Sequence, residues 1–396
     1  MTNYNRISSI DIMRGLTIFL MLFVNDLNMK VAPAWLGSRP ADFDGMGLAD
    51  WVFPSFLFLV GLAIPFSISK RFSEGQSLKE INRHVFLRFI SLIIIGVLML
   101  NTGRVNAELT GFSKNLWAIL LYVGVFLIWN DYPDKENKFF TIAALKLAGM
   151  AILVFMVLKF KSGQPENNGS LITGWWGFLG IIGWGYLVSA FTYMFFRDSI
   201  YKTILITLFF LVINIISIWE KLSLPEPVNM IFGVILTGNV PFIVLSGLLT
   251  GVIIKKSPAT DFLKVIPVLT AAGIFYIVAG LVLRNWSIIS RINGTPSWAL
   301  VCCGISLLLF TLIYSMGDVK KYAFRAGFIQ SAGENSLTTY LAPELIYYLI
   351  LSSGLNLLIY KQSANILIVV AGSVIWSLLM IWFTALLVRL KIKLKL

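Results

Sequence analysis

Long apolar runs alternate with short polar segments along the whole of this chain. Windows of about 20 apolar residues predict membrane-crossing helices. They fall at Ile10–Leu27, Leu48–Ser69, Val85–Leu100, Leu116–Trp129, Phe139–Leu158, Gly174–Phe196, Thr203–Trp219, Val240–Ile254, Phe262–Leu283, Trp298–Met316, Ser336–Ser352 and Ala364–Leu387. Leu116–Trp129 is short, and 231–240 reads as a stretch that could dip into the bilayer without crossing. The expected fold is therefore all-α: a polytopic transmembrane helix bundle of about 12 spans, with 10–12 as the range. Residues 1–396 form a single integral membrane domain on this reading, since every polar stretch is short enough to be a loop.

Composition supports this class. Hydrophobic residues make up 58% of the 396 and the mean hydropathy is +0.83, whereas soluble domains lie near 45–50% apolar. Residues 1–6 are too short for the basic segment of a secretory signal, so the first apolar run is expected to stay as a span. The net charge of +13 suggests no nucleic-acid partner, because the Lys and Arg residues lie in loops between spans. Lys70, Arg71, Lys79, Arg83, Lys255, Lys256, Lys320, Lys321, Arg325 and the tail Arg389–Lys395 outweigh the basic residues of the alternate loops. The charge rule then puts both termini in the cytoplasm. Loop 28–47 faces outward and loop 70–83 inward.

Cysteine and histidine exclude other chemistry. Cys302 and Cys303 are adjacent within an apolar run, with no metal-ligand spacing around them. His84 is the sole histidine and belongs to an inner basic stretch, so no metal site is expected. No strong internal repeat occurs, which counts against a transporter built from inverted repeats. The run TGWWGFLGIIGWGYL at the sixth span reads as an aromatic interfacial belt or as part of a ligand cavity.

Charge inside the apolar pattern marks the candidate chemistry. The first hairpin, 6–67, carries Asp11, Arg14, Asn25, Asp26 and Asp50 at or near the bilayer, and each charge there costs about 2–3 kcal/mol unless paired. Asp11 and Arg14 are three apart on one helix face, either an ion pair or an anion contact for a cytoplasmic ligand. Asn25 and Asp26 end the helix outside, where they could orient a polar acceptor or finish the helix. Asp50 opens the second helix as a cap or as a site residue. Asp42 and Asp44 form either a solvated turn or a general base with its orienter. Late in the chain Asn335 leads a span that Pro343 breaks beside the acid Glu344, an arrangement that usually lines a cavity.

The hairpin resembles the transmembrane acyltransferases related to heparan-α-glucosaminide N-acetyltransferase. The shared pattern is Arg6, Ser9, Asp11, Arg14-Gly15, Val24-Asn25, Asp44-Gly45, Ala49-Asp50, Val52-Phe53-Pro54 and Phe66-Ser67. Weaker echoes are 174–187, TPSW at 295–298 and GENSLTTYL at 333–341. This resemblance implies transfer of acetyl from cytoplasmic acetyl-CoA to an amino sugar or glycan across the membrane. Arg14 with the basic inner-loop residues Lys70, Arg71 and Lys320 would hold the donor. Asn25 and Asp44 would align or activate the acceptor, Asp50 and Asn335 would shape the site, and Asp26, Asp42 and Glu344 would supply polar contacts. The family's outer-loop histidine is missing: the loop reads WLGSRPADFDG, so the same chemistry would need another base. A transporter or flippase for a polar or sugar-linked substrate, and a non-catalytic member that binds a ligand, remain the alternatives. The implied setting is a bacterial inner membrane, with the bilayer and a glycan as partners and a homodimer compatible with both.

Overall fold

In the computed structural model the described residues are 7–133, 138–163, 169–220, 225–257, 262–319, 327–355 and 357–396. Among them the helices are α1 (Ser8–Asp26), α2 (Leu48–Ser73), α3 (Leu78–Thr102), α4 (Ala107–Thr110), α5 (Lys114–Trp129), α6 (Phe139–Lys159), α7 (Gly177–Phe196), α8 (Ile200–Trp219), α9 (Glu226–Leu236), α10 (Asn239–Lys256), α11 (Phe262–Leu283), α12 (Pro296–Tyr314), α13 (Gly327–Glu334), α14 (Ser336–Ser353) and α15 (Ile366–Arg389). No strand forms among these residues beyond two single bridges, Val105 with Ser162 and Asn130 with Leu394. The all-α polytopic bundle expected from the hydrophobic pattern is what the chain adopts. Ten helical stretches are long and apolar enough to cross a membrane. Ten already lies within the predicted range of 10–12, and α5 is a further, shorter apolar helix. The end of the bundle at which the charge rule expects the termini is called the inner end here.

Burial ranks the helices. In the apolar window of α2, 67% of residues are buried, against 17% for α6 and for α8, so α2 is central and those two face lipid. Two glycines let α2 approach α10. A Cβ on Gly61 would collide with the Val244 carbonyl, and one on Gly247 with the Phe58 carbonyl. Small residues at such a crossing permit the backbone contact that drives helix association in lipid. Ser55 of α2 and Ser306 of α12 share a 2.6 Å hydrogen bond inside the bundle.

The helix ends obey capping chemistry. Free N–H groups at the start of α1 donate to the Asp318 carboxylate, from Ser8 and Ser9 at 3.0 Å each, as the positive end of a helix dipole favours. Ser77 and Glu80 form a reciprocal capping box on α3, with the Ser77 N–H donating to Glu80 at 2.7 Å. At the inner end Lys255 donates to Ser69 and Tyr193 at 2.6 Å and to Asp198 at 2.8 Å. That cluster ties α10 to α2 and α7. The segment 231–240, expected to dip rather than cross, is split: α9 ends at Leu236, Gly238 takes φ 78°, and α10 starts at Asn239.

Candidate functional site

The first hairpin is fixed at its outer end by Asp50. This residue is the third of α2, and its carboxylate accepts from the Gly47 N–H at 2.9 Å, the half of a capping box that pins the helix start. The same carboxylate accepts from Ser38 Oγ at 2.6 Å, from the Arg39 N–H at 3.0 Å and from Arg291 Nε at 2.8 Å. Arg291 also donates to Ser38 Oγ at 2.8 Å. Trp298 Nε1 donates to the Asp50 carbonyl at 3.1 Å. Asp50 is thus a buried hub joining loop 28–47, α2, loop 284–295 and α12.

Asp44 is a second clasp between the same two loops. It accepts from the Ile289 N–H at 2.9 Å and from Arg284 Nε at 2.8 Å. The Ile289 hydrogen bond and then the Arg284 guanidinium hold its carboxyl below the ordinary 3.8. A depressed carboxyl stabilises the fold above its unfolded-state pKa and loses that contribution as pH falls through the folded value. Wild type is therefore expected to melt above Asp44→Asn at neutral pH, and the gap should close in acid below 3.8. Thermal unfolding in detergent across pH checks this; a gap that does not change with pH would remove the clasp from the account.

Three cavities meet inside the bundle. An inner cavity of about 360 Å³ is lined by Arg14, Ser67, Arg88, Glu334, Asn335 and Lys395 at its polar end. An outer cavity of about 310 Å³ is lined by Asn25, Ser38 and Arg291. Beside it lies a wider outer cleft of about 1200 Å³, which Arg291 also lines. Phe53 of α2 and Phe178 of α7 line all three, with ring centroids 5.0 Å apart in an edge-to-face contact. Met21 and Tyr340 line both the inner and the smaller outer cavity. The inner cavity and the smaller outer one thus adjoin at Phe53, Phe178, Met21 and Tyr340.

Charge differs between the two sides. Arg14, Arg88 and Lys395 face the inner cavity against a single acid, Glu334. Arg14 lies 3.3 Å from Asp11 and donates to the Gly333 carbonyl at 3.4 Å. The Arg88 guanidinium stacks 4.7 Å over the Tyr186 ring, and its buried Nε has no hydrogen-bond partner among the described residues. A partly buried guanidinium without an acceptor is set to receive an anion.

The structure gathers some expected site residues and separates others. Asn25 faces the outer cavity with no hydrogen bond to another described residue. Arg14 and Asn335 share the inner cavity, where Asn335 also donates to the Ser331 carbonyl at 3.0 Å. Asp26 is buried in a clamp of Tyr360 Oη and Lys361 Nζ, each at 2.7 Å. Asp42 is exposed in the outer loop. Glu344 stands half-buried on α14 between Tyr340 and Tyr348, one turn away on either side, and lines none of the three cavities. Lys70 pairs with Glu74 at 3.8 Å and Arg71 donates to Gln76 at 3.2 Å and meets His84 at 2.7 Å; neither reaches the inner cavity. Lys320 lies outside the described residues. Sequence reasoning passed over Arg88 and Lys395. The signal for Arg88 was present, since it is an arginine within an apolar span. Lys395 had none: it is placed by the tail, whose Lys395 N–H donates to the Trp129 carbonyl at 2.9 Å.

Comparison with known proteins agrees with the hairpin pattern. Residues 6–174 match a family model described as a domain of unknown function (DUF5009). The chain is 30% identical to the heparan-alpha-glucosaminide N-acetyltransferase of Mus musculus over 167 residues, 39% of this chain and 25% of that protein. It is 30% identical to the protein of the same name from Homo sapiens over 120 residues, 30% of this chain and 18% of that one. The match thus spans at most about a quarter of the length of these curated relatives.

Proposed function

We propose that this chain, similar over 167 residues to a heparan-alpha-glucosaminide N-acetyltransferase, is a membrane-embedded acyltransferase with its donor inside and its acceptor outside. The observation that carries the reading is the pair of unlike cavities, which share Phe53 and Phe178: one faces three cations against one acid, the other Asn25, Ser38 and an Arg291 already paired with Asp50. A donor bearing phosphates, such as acetyl-CoA, matches Arg14, Arg88 and Lys395. Arg88 acts as a fork for phosphate oxygens, and Lys395 as a mobile point charge.

Asn25 is the group placed to act at the reacting carbon. Its amide N–H can donate to the carbonyl oxygen of a thioester as the acceptor attacks and negative charge builds there. The C–S bond then breaks, and the acceptor's proton balances the departing thiolate. Asp50 and Asp44 are held in ion pairs, so their part is to position Ser38, Arg291 and the outer loops around the acceptor. Asp26 and Asn335 brace the two ends of the passage. The whole chain works as one membrane domain in this reading, with 6–67 as its chemical core, and its setting is a bacterial inner membrane.

Purified protein given labelled acetyl-CoA and a panel of glycans tests the proposal. Asn25→Ala is expected to lower kcat by about 10²-fold, the cost of one oxyanion donor. Arg88→Gln should raise the donor KM about tenfold or more, as loss of a charged hydrogen bond does, while leaving kcat nearly unchanged. No CoA binding and no transfer to any acceptor would sink the reading. Flux of a sugar-linked substrate in proteoliposomes without acyl turnover would instead favour a transporter using the same passage.

A further inference from the structure

The wide outer cleft is larger than the acyl-transfer step requires. Its volume of about 1200 Å³ exceeds the roughly 300–1,000 Å³ of a usual small-ligand site. Its polar lining includes four amides, Asn214, Asn229, Asn239 and Asn293, with the hydroxyls of Thr173, Ser217 and Thr237, set among the indoles of Trp175 and Trp176. Among the described residues, Arg291 is the only charged side chain lining it, already engaged by Asp50 and Ser38. Asn214 gives the clearest sign of a ligand. It is 1% exposed, its Nδ2 donates to the Thr237 and Gly294 carbonyls at 2.8 and 3.0 Å, and its Oδ1 has no partner among the described residues. A buried amide oxygen left without a donor costs about 1–3 kcal/mol unless something bound supplies one.

Neutral amides with flat indole faces suit sugar hydroxyls and C–H faces rather than a cation or a strong anion. One wall of the cleft is α9, which supplies Asn229, Met230, Gly233 and Val234. None of its described residues is buried: Met230, Ile231 and Phe232 are 50, 40 and 46% exposed. α9 and α10 together make an apolar stretch, Val228–Lys256, of which α9 is the outer part. The helix therefore has sugar-type polarity along the cleft and hydrocarbon beside it, at the level of the outer leaflet.

We propose that the cleft binds the glycan of a membrane-anchored glycolipid, which enters sideways past α9 while its hydrocarbon stays in the outer leaflet. This names the acceptor for the acyl-transfer reading and rests on it only for what happens to the bound glycan. The sugar rings lie on Trp175 and Trp176, Asn214 receives a hydroxyl, and the reacting end reaches Asn25 through the shared wall at Phe53, Phe178 and Arg291.

The test uses full-length protein in lipid nanodiscs doped with an alkyl-linked disaccharide carrying a photoreactive diazirine beside the headgroup. Labelled peptides are mapped by mass spectrometry. The expected result is labelling concentrated in 226–236, reduced about tenfold by Trp175→Ala, as the loss of one aromatic stacking contact predicts. Asn229→Ala, at an exposed position, should lower it without disturbing folding. Free disaccharide in the buffer should compete weakly. Labelling spread over the lipid-facing belt, as with a sugar-free alkyl probe, would overturn the proposal, and so would equal binding of free and tethered sugar. Labelling reports binding alone, so a labelled α9 with no acyl turnover sinks the acyltransferase and keeps the cleft. Transfer to a soluble acceptor with α9 unlabelled does the reverse.

Discussion

Asp50→Ala is expected to abolish acyl transfer and to destabilise the protein by about 3–5 kcal/mol, the range for breaking one side of a buried ion pair. The carboxylate is 1% exposed and is the shared acceptor for Ser38, Arg39, Gly47 and Arg291. Alanine leaves the start of α2 uncapped and Arg291 without its anion. Both Ser38 and Arg291 line the outer cavity, so the loss of hold becomes a loss of acceptor geometry. Asp50→Asn keeps an oxygen for the backbone donors and should fall between wild type and alanine. Removing the stranded cation as well, in Asp50→Ala with Arg291→Leu, should recover part of the stability but none of the turnover. Thermal unfolding in detergent and labelled-acetyl transfer give the two readouts. A single alanine variant with wild-type melting and activity would show that the hub has no such role.

Gly247→Leu is the second large effect, and it acts through the fold. The α2–α10 crossing leaves no room beyond hydrogen at this position, because even a Cβ would strike the Phe58 carbonyl. Backbone cannot swing aside as a side chain does, so the cost should exceed the about 1–3 kcal/mol of ordinary overpacking. The two helices also both line the wide cleft, with Phe53 and Leu57 from α2 and Val240 and Ile243 from α10. Forced apart, they would lose both the helix contact and the cleft. The expected outcome is little monodisperse protein on size-exclusion chromatography, with Gly247→Ala intermediate. Native yield and melting temperature for the leucine variant would contradict the close packing described.

The sequence pattern anticipated the helices well because lipid imposes one rule on every span. Backbone groups must bond internally, so apolar length alone locates a helix. The spans expected at Phe139–Leu158 and Phe262–Leu283 differ from α6 and α11 by at most one residue at either end. α9 breaks away where the pattern had already hinted at a dip. Candidate residues on the first hairpin were legible for a related reason: polar groups in an apolar run stand out. Arg14 and Asn25, which line cavities, and Asp50, which joins the outer loops, were singled out in this way. Their partners were harder. Arg291 and Lys361 sit in loops far along the chain, and nothing in their local sequence says that they close on Asp50 and Asp26. The donor side was read from the density of basic loops, which favoured Lys70 and Arg71. The cavity instead takes Arg88 from within α3 and Lys395 from the tail, because proximity depends on which helices pack together.

The Phe53–Phe178 layer has an electrical consequence. In the proposed reading, cavities that open towards either side and adjoin at Phe53, Phe178, Met21 and Tyr340 leave little low-dielectric material between the two solutions. The transmembrane voltage then falls mainly across that thin wall rather than over the full thickness of the bilayer. A unit charge carried past the rings would do nearly the full electrical work, about 2.3 kcal/mol per 100 mV, within a step of molecular size. In the proposed reaction, a proton that leaves an outer acceptor to balance a thiolate inside makes that crossing. Turnover in sealed vesicles should therefore respond to an imposed potential, with its sign set by the direction of the proton.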